Sequence, residues 1–180
     1  MRLSQHVRHN RLALAGSAIL AVFSLAAIFA TVITPQDPQV HFNPFLSPSL
    51  AHLLGTDDVG RDIFAQLVVG TRVSLLVGIL TGLLAVSVGV LVGLTAGFRR
   101  GALDELLMGL TDVVLVIPAL PLVILVSVYV GPGVWNTVLV IGLVLWPSTA
   151  RVIRSQVLSV RQSGYVESAR ALGATDAWMM

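Results

Sequence analysis

Long uncharged apolar runs constrain this chain more than any other feature of its sequence. Leu12–Ile33 and Val73–Phe98 carry no charge, and Leu106–Val130 and Val134–Ala150 share a single acid, Asp112. A helix of roughly 20 apolar residues crosses the hydrocarbon core of a bilayer. Lipid offers the backbone no hydrogen-bond partners, so a spanning segment must satisfy its own, as a helix does. The sequence therefore predicts an all-α, polytopic membrane helical bundle with four spans.

The composition agrees with a membrane protein and offers no chemistry of its own. Charged residues make up only 11% of the chain and the mean hydropathy is +0.90, whereas soluble domains carry about a quarter charged residues. The chain has no cysteine, and its four histidines lack metal-ligand spacing. No phosphate-cradling GxxxxGK[ST] motif is present. We expect no catalytic residue, no metal and no cofactor.

Arginines fix the expected orientation, because basic residues flank membrane spans on the cytoplasmic side. Arg2, Arg8 and Arg11 precede the first run, which predicts a cytoplasmic N-terminus. A cleaved signal peptide is the alternative, but its apolar core would be too long. The same rule places these arginines inside: Arg99, Arg100, Arg151, Arg154 and Arg161.

The segment between the first two runs is polar, punctuated by prolines and slightly acidic, which predicts an outer loop. Asp57, Asp58 and Asp62 lack the alternating spacing of a calcium loop. We expect Thr56 or Asp57 to cap a helix instead. Ile63 to Val69 would form a short interfacial helix before the second span.

Glycines of the second run recur four residues apart, at Gly78 and Gly82 and again at Gly89 and Gly93. Small residues at this spacing let membrane helices approach closely. The alternative is composition alone, because glycine is frequent in membrane helices. We favour a packing face.

The third run holds the residues that could act inside the membrane. Asp112 is the one acid within a predicted span, and an intramembrane carboxylate is a candidate functional group. Pairing with Arg99, Arg100 or lipid headgroups is the other interpretation, and the one we favour over proton relay. Pro118 and Pro121 should kink or locally unwind the helix.

The last segment is a candidate docking element. Read as one helix, Ala169, Gly173 and Ala177 form a strip almost without side chains. Glu167 can pair with Arg170 one turn on. The strip favours insertion into a partner's groove, but an amphipathic tail that packs on the membrane or on its own bundle is equally consistent with the pattern.

Three blocks of the chain resemble one family, the permease subunits of dipeptide, oligopeptide and nickel-type ABC importers. They are HLLGTDDVGRDIFAQLVVGTRVSLLVG at His52–Gly78, DELLMGLTDVVLVIP at Asp104–Pro118, and YVESARALGA at Tyr165–Ala174. The last resembles the EAA loop of such permeases, with Ser168 in place of the usual alanine. The likeness runs from about Arg8 to the end of the chain.

The resemblance implies a type I ABC importer transmembrane domain. Residues 1–71 would form the tail, first span and outer loop, and residues 72–180 an incomplete permease domain that lacks about two C-terminal spans. The EAA segment would be a coupling helix that docks on a cytoplasmic ATPase, which binds the ATP. Its docking residues would be Tyr165, Glu167, Ser168, Ala169 and Gly173.

The other expected partners are a second, related permease, an extracytoplasmic solute-binding protein and the lipid of a bacterial or archaeal inner membrane. The solute would be a peptide or a similar small molecule. Two other classes remain open: an ion-coupled secondary transporter, which would depend on Asp112, and a membrane scaffold, for which glycine packing faces suffice.

Overall fold

The computed structural model describes residues 11–34 and 37–175, and all of its regular elements are helices. Two compact units divide the chain, one up to Leu76 and one from Val77 onward. The helices are α1 Arg11–Ile28, α2 Ala30–Ile33, α3 Ile63–Arg99, α4 Ala102–Val116, α5 Ala119–Val130, α6 Val134–Arg161 and α7 Gly164–Ala171.

Helices α1, α3 and α6 are each long and apolar enough to cross a membrane, and the bent pair α4–α5 brings the number of spans up to four. The predicted all-α membrane bundle is therefore confirmed. Arg2 and Arg8, on which the predicted orientation partly depends, lie outside the described residues.

Two helices are longer than the apolar runs from which they were predicted. Helix α3 begins at Ile63 and runs for 37 residues, so the separate interfacial helix predicted at Ile63–Val69 is wrong. No proline interrupts this stretch, and the Thr71 hydroxyl donates to the carbonyl of Leu67 at 2.8 Å inside the helix. Helix α6 likewise passes through Pro147 and continues beyond Ala150 to Arg161.

The third predicted span is broken at its first proline. Helices α4 and α5 meet at 89°, a sharper change than the predicted kink. Ile117 is extended, with φ −76° and ψ 126°, because the proline ring disfavours a helical residue before it. Pro121 lies in the first turn of α5, where a missing N–H costs no helical hydrogen bond.

A row of glycines packs α3 against α6. A methyl group on Gly89 would lie 2.5 Å from Cβ of Thr149, one on Gly93 would overlap the Ala150 carbonyl, and one on Gly97 would lie 2.8 Å from Cβ of Val157. Because the first two residues belong to the predicted packing face, that half of the prediction is confirmed. Gly78 and Gly82 have no neighbour within 4 Å among the described residues, so for this pair the packing face stays a prediction.

The loop between α2 and α3 is held by buried polar contacts. Asp62 caps α3, since its Oδ1 accepts the Ala65 amide at 2.9 Å, and its Oδ2 lies 2.8 Å from His52 Nδ1. The cap predicted at Thr56 or Asp57 is therefore wrong. Thr56 instead joins two segments of the loop. Its hydroxyl donates to the Asn43 carbonyl at 2.7 Å and accepts the Leu46 amide.

The Asp57 carboxylate accepts the hydrogen bonds that hold the turn leading into α3. One oxygen accepts the backbone amides of Val59 and Arg61, and the other accepts the Gln66 side chain at 3.0 Å. The hydrogen bond from the Arg61 amide, followed by that from Gln66, lowers the pKa of Asp57 from 3.8 to about 2. Ionised Asp57 thus organises the turn.

We predict that Gly93→Ala destabilises the protein while Gly82→Ala does not. Overpacking a close helix contact costs about 1–3 kcal/mol, whereas alanine in an open helical position is neutral or stabilising. Thermal unfolding in detergent measures both variants. Equal melting temperatures would contradict the glycine contact.

We predict that the loop loosens in acid. The pKa of Asp57 is lower in the folded loop, so its stabilisation is complete above about pH 4 and is lost as the pH falls toward about 2. Hydrogen exchange of loop amides, corrected for intrinsic rates, measures this loss. Asp57→Asn should weaken the acid dependence and the matched variant Asp58→Asn should keep it; the reverse order would refute the assignment.

Candidate functional site

Helix α7 presents a short, exposed surface directly after α6. The Ser163 carbonyl accepts the amides of Val166 and Glu167 at its start, at 3.0 and 3.2 Å. Glu167 lies in the first turn, where the helix dipole favours an acid. Tyr165 is 67% exposed and Leu172, just beyond the helix, is 89% exposed. A charged and an apolar group are thus both available to a partner.

The helix ends at Ala171, and Gly173 turns the chain away from the helix direction. Gly173 has a φ of +89°, and the Ala174 amide donates to the Ala169 carbonyl at 3.1 Å. This is the Schellman arrangement, in which a left-handed glycine satisfies the last carbonyls of a helix. The predicted helical strip is therefore wrong at Gly173, and Ala177 lies outside the described residues.

Ser168, the departure from the family pattern, satisfies its own hydroxyl. The hydroxyl donates to the Gly164 carbonyl at 2.8 Å within the helix. Ser168 is exposed and Ala169 is half-buried. The serine therefore adds little bulk and no unpaired donor to the face. Glu167 is exposed, and the side chain of Arg170, its predicted partner, lies outside the described residues.

Helix α7 lies beside a cavity that the ends of α3 and α6 also line. Val166 lines an apolar cavity of about 260 Å³ together with Leu94, Phe98 and Val157. The Arg161 guanidinium donates to the Phe98 carbonyl. The guanidinium carbon, Cζ, lies 5.4 Å from the centre of the Phe98 ring. A cation at this position complements the C-terminus of α3.

Two ion pairs join α6 to α4. Asp104 receives two hydrogen bonds from Arg154, from Nε at 2.6 Å and from Nη2 at 2.7 Å. Asp112 accepts Arg151 Nη2 at 2.6 Å. The first pair is two-pronged and its carboxylate is buried, whereas more than half of each side chain in the second pair is exposed. Planar two-pronged pairs fix geometry as well as charge.

Asp112 is thus engaged by Arg151, a different arginine from the predicted partners Arg99 and Arg100. Its partner lies on α6, which runs beside α4. Pro118 and Pro121 mark the break between α4 and α5 described above. Among the described residues, no group of three His, Asp or Glu could hold a metal ion.

Sequence reasoning did not single out two of these contacts. Asp104 and Arg154 are 50 positions apart. The one signal in the sequence was that each is a charged residue next to a long apolar run. Asn136 was also missed: its side-chain amide donates to the carbonyls of Val130 and Gly131 at 3.1 and 3.2 Å, which closes the end of α5. An asparagine near the start of an apolar run was its signal.

Taken together, these contacts place an exposed helix at the end of a long, well-anchored one. An exposed helix stands on a long helix, and that helix is clamped to α3 by glycines and to α4 by ion pairs. Such a site suits a partner that pushes or pulls on α7.

Comparison with known proteins identifies the family of the chain. Residues 89–180 match the family described as binding-protein-dependent transport system inner membrane component. Residues 4–51 match the N-terminal transmembrane domain of oligopeptide transport permease C.

Curated relatives carry related names. The chain is 36% identical over 93% of its length to the oligopeptide transport system permease protein OppC of Bacillus subtilis, of which it covers 55%. It is 36% identical over 94% of its length to the di/tripeptide transport system permease protein DppC of Pseudomonas aeruginosa, of which it covers 59%. It is 34% identical to the glutathione transport system permease protein GsiD of Escherichia coli, with coverage of 94% and 57%.

The chain therefore spans somewhat more than half the length of these relatives. The matched regions contain the glycine contact, the ion pairs and α7. The protein is a multi-pass membrane protein that belongs to the family of binding-protein-dependent transport system inner membrane components.

Proposed function

We propose that this chain is the permease subunit of an ATP-driven importer and forms half of the path for peptides or a similar small solute. The observation that carries the proposal is α7, an exposed helix at the end of the clamped helix α6, within the region that matches the family. The names of the relatives support a peptide-like solute.

In this proposal α7 lies on the cytoplasmic side, as the arginines near it favour. A separate ATPase binds and hydrolyses ATP and docks on α7. Tyr165 and Leu172 supply apolar contact, and Glu167 a polar one. Gly173 matters because it turns the chain away after α7, which leaves the helix end open to the partner. Closure of two ATPases would draw two such helices together.

The remaining partners follow from the family. A second, related permease would complete the path, and an extracytoplasmic binding protein would deliver solute to the side opposite α7. Residues 1–71 would form the tail, first span and outer loop, and residues 72–180 the permease domain. This division is near the boundary between the compact units at Leu76 and agrees with the separate family matches on either side.

An ion-coupled transporter receives less support from the same geometry. Such a protein needs an ionisable group that is free to bind and release an ion within its spans. Asp112 is the acid that the sequence offered, and Arg151 already engages it. A membrane scaffold would leave the exposed face of α7 unexplained.

We predict that Leu172→Asp in the full-length protein abolishes co-purification of the ATPase while membrane insertion remains normal. Leu172 is 89% exposed, so its loss costs little folding energy, but a charge there would oppose an apolar contact. Gln162→Asp adds the same charge outside α7 and should retain the ATPase. Retention by both variants would refute docking through α7.

We predict that Gly173→Asn keeps part of the transport activity and Gly173→Val loses it. A φ of +89° is accessible to asparagine but strained for a β-branched residue. Uptake by cells that express each variant at equal levels measures the difference. Equal uptake by both variants would show that the turn at Gly173 is not required.

A further inference from the structure

We propose that the Asp104–Arg154 ion pair is the link that carries movement of α7 to the broken pair α4–α5. This inference rests on the proposed function and adds to it the path by which docking would reach the membrane. Asp104 and Arg154 are positioning residues in this account, because they act through the helices that they join.

The first step of the path is the junction between α6 and α7. Only Gln162 and Ser163 separate the two helices. Their amides donate to the carbonyls of Ser159 and Val160 at 3.2 and 3.0 Å, so the junction continues the hydrogen-bonded turn of α6. A displacement of α7 is therefore passed to α6 and not absorbed by a flexible linker.

The second step is the attachment of α4 to α6. The two parallel hydrogen bonds between Arg154 and Asp104 fix the distance and the angle between these helices. Asp104 is only 9% exposed, and a buried carboxylate that lost its partner would be costly. The pair therefore resists separation when α6 moves, and α4 follows. The exposed Arg151–Asp112 pair is weaker by the same argument, since exposed pairs contribute little.

The third step is the break itself. Helix α4 ends at Val116, and α5 leaves at 89° after an extended Ile117. No helical hydrogen bond fixes the angle across an extended residue before proline, so the break can act as a hinge. Helix α5 also packs against α6; in this proposal the movement of α4 across the hinge, and not that contact, sets the direction of α5.

The test measures movement of α5 in the assembled complex, which requires no knowledge of the solute. These 180 residues contain no cysteine, so Leu91→Cys on α3 and Leu120→Cys on α5 are the two label sites within them, and any cysteine elsewhere in the complex is first replaced by serine. Both side chains are exposed, at 66% and 76%. The distance between the labels is measured in the full-length complex with and without ATP and vanadate.

The key variant removes both charges at once, Asp104→Asn with Arg154→Gln, so that no buried charge is left alone and the protein can fold. The exchange variant, Asp104→Arg with Arg154→Asp, restores a pair of opposite polarity. Glu105→Gln removes an exposed neighbouring carboxylate and serves as the matched control.

We expect the label distance in the otherwise unmodified complex and in the Glu105→Gln control to change by a few ångström when ATP is trapped. The neutral variant should keep ATP hydrolysis within about twofold but lose the distance change, and the exchange variant should regain part of it.

A distance change that persists in the neutral variant would overturn the inference, as would a loss of ATP hydrolysis in parallel, which would mean a purely structural role. Absence of a distance change in the unmodified complex would also overturn it. A complex that contains no ATPase would instead refute the proposed function, and the inference with it.

Discussion

The structure depends first on the close contact between α3 and α6. At Gly89, Gly93 and Gly97 the two helices approach until a single methyl group would overlap the neighbour. Packing of this kind is the main attraction between helices in lipid, where apolar surfaces gain nothing by leaving water. Because α6 lies along α3, its polar extension beyond Ala150 is held in place, and α7 has a fixed base.

The polar contacts then act where the apolar packing stops. Arg161 closes the end of α3, and Arg154 and Arg151 tie α4 to the same face of the bundle. Three of the arginines that predicted orientation, Arg151, Arg154 and Arg161, thus also have structural partners. Of these three arginines, Arg154 alone engages a buried carboxylate through two bonds. For this reason we assign the coupling between α6 and α4 mainly to the Asp104–Arg154 pair. Asp112 contributes less to this coupling than its position within a predicted span suggested.

Features that depend on local sequence were predictable. The cost of charge in lipid defines spans within a window of residues, and Pro118 indicated the break because its effect on Ile117 is steric and local. Features that depend on distant partners were not predictable. Gly78 and Gly82 show the same spacing as Gly89 and Gly93, and only the position of α6 decides which pair is used. Nothing near Asp104 specifies a partner 50 residues away.

Helix ends fall between these cases. The sequence pattern at Gly173 is consistent with both a helical strip and a helix terminus. In the structure Gly173 follows the end of α7, because glycine is the residue best suited to a left-handed turn. At the start of α3 we predicted Thr56 or Asp57 as the cap, and the structure has Asp62 there. The buried contact of Asp62 with His52 distinguishes it, and that contact requires the loop to be folded already.

Site-directed cross-linking tests the central claim, that α7 is the surface on which the ATPase acts. These 180 residues contain no cysteine, so each variant carries one introduced reactive site within them. Ser168→Cys lies on the exposed face of α7, and Tyr129→Cys lies at the far end of α5, where its side chain is 83% exposed. In intact membranes we expect an adduct with the ATPase from Ser168→Cys and none from Tyr129→Cys. An adduct from Tyr129→Cys alone, or none from Ser168→Cys in a complex that transports, would contradict the account.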